Sequence, residues 1–157
     1  GTGGVIKSSA GLGFLIFRGL ADTFRVSLTA PVEEEIRTGY HLLRTFGYLS
    51  GGVNVISCPT CGRTHGTIFE YCRRLEKWLE EKKSFDKPGL TVAIMGCEVN
   101  GPGEASHADL GMALGKKSAL FFKEGKIEKK YKKQDEAFER LLSEILLSWN
   151  GGEKNGC

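Results

Sequence analysis

The chain has 157 residues, of which 40% are hydrophobic and 26% are charged. This length suits one domain with a sizeable core and a piece of a second, and the composition is that of a soluble globular protein. No apolar run approaches the ~20 residues of a membrane span, and the formal net charge of +3 by itself indicates no nucleic-acid partner.

The first fifty residues predict a helix, a strand and a second helix. The Gly-rich apolar block up to about residue 20 predicts a helix, or a loop followed by a helix. "TFRVSLT" (23–29) alternates apolar and polar residues, which predicts a β-strand with one apolar face. Pro31 then begins a helix with three glutamates in its first turn, and Gly47 is expected to end it. The expected packing positions are Phe24, Val26 and Leu28 on the strand and Ile36, Tyr40 and Leu43 on the helix.

Strands and helices alternate after residue 50. Strands are predicted at 51–57, at 90–95 and at "LGMAL", "SALFFKEG" and "KIEKKYK", and helices at about 67–83 and 135–149. "VNGPGEASHAD" (99–109) predicts a tight loop in which Gly101 and Gly103 could adopt positive φ. We therefore expect a compact α/β domain over 51–150, preceded by a partial element over 1–50 and followed by a disordered tail at 151–157.

The number and positions of the cysteines indicate which kinds of site the chain could form. They are Cys58, Cys61, Cys72, Cys97 and Cys157. An odd count without a secretory signal argues against a disulfide framework and for a reducing compartment such as the cytoplasm. Cys72 lies on the apolar face of its predicted helix, which indicates a small core residue, and Cys157 in the tail is expected to have no role.

Two of these thiols, Cys58 and Cys61, form a C-x-x-C pair where a predicted strand ends. This spacing is shared by structural zinc sites, thioredoxin-like dithiols and iron–sulfur proteins. Cys97 also follows a predicted strand. If the two strands are neighbours in one sheet, all three thiols converge on one crevice. Three thiols indicate a cluster or a metal site, because a dithiol enzyme needs only two.

Residue spacing alone does not identify the fourth ligand. A reversal through "NGPGE" could return the Glu104 carboxylate to a metal held by Cys97, and a hard carboxylate on cluster iron would be easily displaced, as a catalytic cluster requires. Spacing by itself favours the alternative that Glu98 and Glu104 are solvated loop acids. His107 is the competing ligand, and it would complete a structural zinc site with the three thiolates.

A lysine-rich stretch lies late in the chain, and its only acidic residues are Glu124 and Glu128. It contains Lys116, Lys117, Lys123, Lys126, Lys129, Lys130, Lys132 and Lys133. One interpretation is a docking patch for an acidic partner or substrate. The pattern favours the other interpretation, a solvated hairpin whose charged edges resist aggregation.

The motifs "SCPTCGRT" and "MGCEVNGPGEASHAD" together strongly resemble the 4-hydroxy-3-methylbut-2-enyl diphosphate synthase family. Members are reductive enzymes near the end of the methylerythritol phosphate route to isoprenoids. "IKSSAGLG" and "LADTFRVSLT" are similar to the closing portion of that family's barrel domain. The resemblance covers residues from about 5 to 145, and the order, spacing and flanks of the motifs all agree.

The resemblance implies a fold and a cofactor. The family joins a (β/α)8 barrel to a domain similar to the cluster domain of sulfite and nitrite reductases, a mixed sheet with flanking helices. Residues 1–50 would be the last elements of the barrel, and 51–150 the cluster domain. The family's [4Fe–4S] cluster is held by three cysteines and one glutamate. Their positions match Cys58, Cys61, Cys97 and Glu104, the last of which would also be catalytic.

The resemblance also implies a reaction. Two electrons, supplied by flavodoxin or ferredoxin, and one proton open the ring of 2-C-methyl-D-erythritol 2,4-cyclodiphosphate and release water. In the family homodimer, the cluster domain closes over the partner's barrel. Most of the barrel is absent here, so we expect the fragment alone to be inactive. Lys7, Arg25 and Ser27 are its expected substrate-binding residues, because the polar face of 23–29 could hold a diphosphate.

Two other classes stay open beside this resemblance. One is a structural zinc domain that binds a partner and uses His107 as its fourth ligand. The other is a dithiol oxidoreductase that uses Cys58 and Cys61 and does not depend on Cys97.

Overall fold

The computed structural model describes residues 1–151. The predicted tail from residue 152 onward, including Cys157, lies outside the described residues. The chain forms two compact units, Gly1–Ser50 and Gly51–Cys157. None of the helices within 1–151 combines the length and apolar character that a membrane span requires.

The first unit contains two helices, α1 (Thr2–Phe17) and α2 (Val32–Thr45). Each ends at a glycine in the left-handed region, Gly19 with φ of 63° and Gly47 with φ of 77°. In α2 the Gly47 and Tyr48 N–H groups donate to carbonyls of the last turn, so the carbonyls left open at the helix end are bonded. The predicted stop at Gly47 is confirmed.

The predicted β-strand at 23–29 is wrong, although its alternation is right. Val26 is buried and Phe24 and Leu28 are half-buried, whereas Arg25 and Ser27 are exposed. No strand pairs with this segment among the described residues. The Leu28 N–H instead donates to the Glu35 carboxylate at 2.7 Å. A β-ladder needs a neighbouring strand, and the first unit supplies only helices.

The apolar stripe predicted for α2 is wrong at Ile36 and Tyr40, although Leu43 is half-buried. Ile36 is 54% and Tyr40 37% exposed, while Thr38 and Leu42 are buried. Leu42 packs with Ile16 of α1 and with Val26. The Thr38 hydroxyl donates to the Glu34 carbonyl, which allows a polar residue to be buried on this face. The helix is therefore rotated from the orientation that its apolar residues predict.

The second unit contains a five-stranded mixed sheet in the order β1-β2-β3-β4-β5. The strands are β1 (Val53–Ser57), β2 (Leu90–Met95), β3 (Leu110–Leu114), β4 (Ala119–Lys123) and β5 (Lys126–Tyr131). The first three are parallel, and the last two are antiparallel neighbours. The β4–β5 turn passes through Gly125 with φ of 72°. The α/β class and the predicted hairpin are confirmed.

Two helices, α3 (Ile68–Glu81) and α5 (Gln134–Gly151), pack on one face of this sheet. The larger core lies there and includes Leu75, Ile94, Leu110, Phe121 and Ile145. A 3-10 helix, Ser84–Asp86, follows α3. The opposite face carries a smaller core of Ala93, Met95, Ala105, Ala108, Ala113, Leu120 and Phe122. Small side chains there allow the 97–109 segment to lie close to the strands.

The tight loop predicted at 99–109 is instead built around a one-turn helix, α4 (Gly101–Glu104). Neither Gly101 nor Gly103 has positive φ. Pro102 suits the first turn of a helix, where its missing N–H costs no hydrogen bond. A Cβ at Gly101 would lie 2.7 Å from the Met95 Cβ and 3.0 Å from the Ala113 Cβ. Glycine is therefore required here for close approach of the chain to the sheet.

Candidate functional site

The first two strands bring two of the predicted ligands to one end of the sheet. β1 and β2 are parallel, and Ser57 pairs with Ile94, so Cys58 and Cys97 both follow strands that end side by side. The Gly96 N–H donates to the Cys58 Sγ at 3.2 Å. The predicted adjacency of these two strands is confirmed, and the Cys58 sulfur contacts the backbone directly before Cys97.

Gly96 joins the C-x-x-C loop to the end of β2. The His65 N–H donates to the Gly96 carbonyl at 2.7 Å. A Cβ at Gly96 would lie 2.8 Å from the Thr64 Cγ2 and 3.2 Å from the Cys58 Sγ. Sequence reasoning missed this residue. Its only signal was a glycine between an apolar strand and a cysteine, where two backbones approach closely.

The turn between the two cysteines exposes Cys61. Thr60 has φ of 59°, a region that non-glycine residues adopt infrequently. The Cys61 N–H donates to the Thr64 Oγ1 at 2.9 Å. A hydrogen bond from the Arg63 backbone holds the pKa of the Cys61 thiol below its ordinary value, with smaller contributions from the Arg63 side chain and Thr64. Cys61 is therefore biased toward the thiolate, the form that binds metals.

The other two described cysteines differ from Cys61 in burial. Cys97 is 7% exposed. Cys72 is half-buried and packs against the larger core, which confirms its prediction as a small core residue. Burial raises the pKa of the Cys72 thiol, and a hydrogen bond with Ser57 only partly opposes that. Cys72 is therefore biased toward the neutral thiol.

Glu104 ends α4 and is exposed, as is His107. The Gly101 N–H donates to the Cys97 carbonyl at 3.1 Å, and the Glu104 N–H donates to the Asn100 carbonyl at 2.9 Å. The first of these bonds ties the start of α4 to Cys97, and the second ties Glu104 to the residue before α4. An exposed carboxylate on such a short, anchored segment is free to bind a metal or to leave it.

The prediction of Glu98 as a solvated loop acid is wrong. Its carboxylate accepts from the Ser118 Oγ at 2.7 Å and from the Lys130 Nζ at 2.8 Å. Burial alone would raise the pKa of Glu98, but the hydrogen bonds from Lys130 and Ser118 outweigh it and hold that pKa below its ordinary value. A Cβ at Gly115 would lie 2.6 Å from the Glu98 Cδ. The residue after Cys97 is thus tied to β5 and to the β3–β4 turn.

The donor chemistry can be compared with two kinds of centre. Within residues 1–151, no three His, Cys, Asp or Glu side chains are grouped as one metal ion would require. A [4Fe–4S] cluster makes a different demand, because each of its ligands binds a separate iron. Thiols suit cluster iron, and an N–H donor to a thiolate sulfur, as from Gly96 to Cys58, is a contact that tunes such clusters.

The three residues predicted to bind substrate lie together in the first unit. Lys7, Arg25 and Ser27 line one shallow, open pocket of about 590 Å³. Gly11, Leu12 and Leu15 of α1 complete its lining together with Ser8. Two cationic side chains, two hydroxyls and a small apolar wall could hold an anion such as a phosphate.

Comparisons with known proteins identify relatives of this chain. Residues 54–146 match the family described as GcpE protein C-terminal domain, and residues 1–40 match the GcpE TIM-barrel domain. Proteins named 4-hydroxy-3-methylbut-2-en-1-yl diphosphate synthase (flavodoxin) are similar along most of the chain. The one from Clostridium acetobutylicum is 49% identical over 142 residues, which is 90% of this chain and 39% of that protein.

Two further relatives with the same name show the same coverage. The Clostridium perfringens protein is 48% identical over 91% of this chain and 38% of its own length. The Hydrogenobaculum protein is 44% identical over 93% and 39%. The chain thus spans about two fifths of the curated relatives it matches. Because the C-terminal domain match covers most of the second unit and more than half of the sequence, the chain belongs to the GcpE family.

Proposed function

We propose that the chain is the cluster-bearing part of an enzyme that opens the ring of 2-C-methyl-D-erythritol 2,4-cyclodiphosphate and forms 4-hydroxy-3-methylbut-2-enyl diphosphate. The observation that carries the proposal is the Gly96 N–H bonded to the Cys58 Sγ at 3.2 Å. It sets the first thiol of the C-x-x-C pair against the peptide that precedes Cys97. The names of the relatives, which the chain matches over about nine tenths of its length, supply the reaction.

Cys58, Cys61, Cys97 and Glu104 would hold a [4Fe–4S] cluster. When bound, such a cluster supplies single electrons to a substrate. The three cysteines anchor it as thiolates, and the lowered pKa of Cys61 favours that form. Glu104 is the hard ligand of the set and the most readily exchanged, so it guards the catalytic position. Buried Cys97 excludes water from its side of the site.

The first unit would be the last part of a (β/α)8 barrel, and the second would resemble the cluster domain of sulfite and nitrite reductases. Lys7, Arg25 and Ser27 would bind the diphosphate of the substrate from the barrel side. Their shared pocket supports this role because it combines two cations with hydroxyl donors. A late-barrel position suits phosphate binding.

The complete enzyme would be a cytoplasmic homodimer that takes its electrons from flavodoxin or ferredoxin. The relatives' names include flavodoxin, which supports the first of these donors. The reaction consumes two electrons and one proton and releases water. The present chain covers 39% of such a relative, so most barrel residues are missing from it and it would be inactive alone.

Cluster binding is the direct test of this proposal. We expect anaerobically purified or reconstituted chain to bind one [4Fe–4S] cluster, because the thiols that hold it are all in the second unit. Iron analysis, acid-labile sulfide analysis and the absorption spectrum measure this. Stoichiometric zinc without iron or sulfide after careful reconstitution would contradict the proposal and favour the structural zinc interpretation.

Arg25 tests the substrate side separately. In the complete enzyme, Arg25→Ala should weaken substrate binding and leave the cluster intact. A lost charge-assisted contact between guanidinium and phosphate costs ~1.5–3 kcal/mol, which is roughly a ten- to hundredfold loss of affinity. Substrate binding is measured by calorimetry, and the cluster by iron content. Arg18→Ala, which removes a cation of the same unit that does not line the pocket, is the matched control. Unchanged binding in Arg25→Ala would remove Arg25 from the site.

A further inference from the structure

One end of the sheet carries a concentrated positive surface. We call this surface the lysine face; it consists of the exposed residues Lys116 and Lys117 in the β3–β4 turn and Lys132 and Lys133 directly after β5, which meet at one end of the sheet because Ala119 pairs with both Leu114 and Tyr131. The only acids between residues 116 and 133 are Glu124 and Glu128. Within residues 1–151, none of these four lysines forms an ion pair. Their charges are therefore not neutralised by the fold.

One neighbouring lysine connects this face to the candidate cluster site. Lys130 lies in β5 between Lys129 and Tyr131, and its Nζ contacts the Glu98 Oε2 at 2.8 Å. Glu98 directly follows Cys97 and is only 22% exposed in its side chain. A purely solvated hairpin would need no such contact. Gly115, the residue before Lys116, also approaches Glu98, since a Cβ there would lie 2.6 Å from the Glu98 Cδ. The lysine face therefore adjoins the segment that holds a candidate ligand.

β5 is also the edge strand of the sheet, so one side of it is open to another molecule. All its residues except Tyr131 are exposed. Lys129 lies over the Tyr131 ring, with 4.9 Å between the Nζ and the ring centroid, which keeps its charge at the surface. Edge lysines oppose strand addition by another chain but leave the surface able to attract an acidic protein.

We propose that the lysine face docks an acidic electron-carrier protein and that electrons enter the site beside Cys97. This inference rests on the proposed function. Each reduced carrier that docks loses one electron to the site and leaves oxidised, so two encounters supply the two electrons of ring opening. Complementary charge speeds such encounters and makes them sensitive to salt. The partner is identified by two properties, an acidic surface and a one-electron redox group.

The experiment compares two reductants in the complete enzyme. Lys116→Glu combined with Lys133→Glu reverses two charges of the lysine face. Lys77→Glu combined with Lys87→Glu makes the same change of charge at exposed positions on α3 and before β2, near the other edge of the sheet. Turnover is measured with reduced flavodoxin and with dithionite, which needs no docking surface. Binding of oxidised flavodoxin is measured by calorimetry at low and high salt.

For the lysine-face variant we expect the KM for flavodoxin to rise about tenfold and its salt dependence to weaken, with dithionite turnover unchanged. The control variant should match the unaltered enzyme. An unchanged KM and binding constant in the lysine-face variant would overturn the proposal, as would equal losses in the two variants. If the unaltered enzyme showed no turnover with dithionite, the proposed function itself would be rejected. If the variant loses its cluster, calorimetry still decides, because it needs no turnover.

Discussion

Cys97→Ser in the complete enzyme is expected to abolish retention of the proposed cluster. A serine hydroxyl is a hard donor that stays protonated near neutral pH, whereas cluster iron requires a soft thiolate. Cys97 is 7% exposed, so little solvent can reach its position to replace the lost thiolate. Cys58→Ser and Cys61→Ser should have the same result. Iron and sulfide content, with the visible absorption spectrum, measure the loss.

The matched control is Cys72→Ser. Cys72 is a free thiol of the same unit that packs against the core, and burial raises its pKa. We expect this variant to keep a normal cluster and to lose at most some stability, since the new hydroxyl would lie in a half-apolar environment. A normal cluster in Cys97→Ser would refute the ligand assignment. Loss of the cluster in Cys72→Ser would show that the assay reports folding alone.

Removing the candidate carboxylate should separate assembly from catalysis. We expect Glu104→Ala in the complete enzyme to assemble a cluster that is less stable at one iron, and to lose most of its turnover. Three thiolates remain as anchors, whereas the exchangeable ligand is gone. Glu104 is exposed at the end of α4, so the change leaves the core untouched. Iron content and the ring-opening rate are measured on the same preparation.

His107→Ala is the comparison that decides between the two candidate fourth ligands. Both side chains are exposed and lie in the segment after Cys97. If His107 were the ligand, its removal would damage the site and Glu104→Ala would be near normal. We expect the reverse. Full activity in Glu104→Ala would end the hypothesis that this carboxylate guards the catalytic position.

Much of the second unit could be predicted because the buried face of each helix and strand is evident from its own sequence pattern. On α3 the apolar residues at helical spacing, such as Leu75 and Leu79, are the buried ones. β2 is a continuous apolar run because helices cover one face and the 97–109 segment the other. The convergence of Cys58 and Cys97 followed from two strands ending at the same edge of a parallel sheet.

The first unit was harder to predict because its structure depends on pairing and hydrogen bonds that the pattern of a single segment does not report. Val26 is buried as the alternation predicts, but hydrogen-bonded pairing depends on a second strand, about which one segment holds no information. In α2, the hydrogen bond of Thr38 to the preceding turn allows a polar residue to be buried. A count of apolar residues therefore placed the wrong face inward.

The contacts of Gly96 and Glu98 were missed for a different reason. The close approach of the chain at Gly96 is a property of the folded structure. The sequence shows only a glycine there and does not show which atoms a Cβ would contact. Likewise, the Ser118 and Lys130 partners of Glu98 come from a hairpin that folds back beside it. Spacing along the chain does not report such long-range pairs.

The order of the strands has a consequence for the time course of folding. β3, β4 and β5 follow one another and pair antiparallel through short turns, so they can form early from local contacts. The parallel β1–β2 pair must first close a long loop through α3 and the 3-10 helix. Cys58 and Cys97 therefore meet only at this slower, non-local step. Assembly of the proposed cluster is therefore expected to follow the pairing of these two strands.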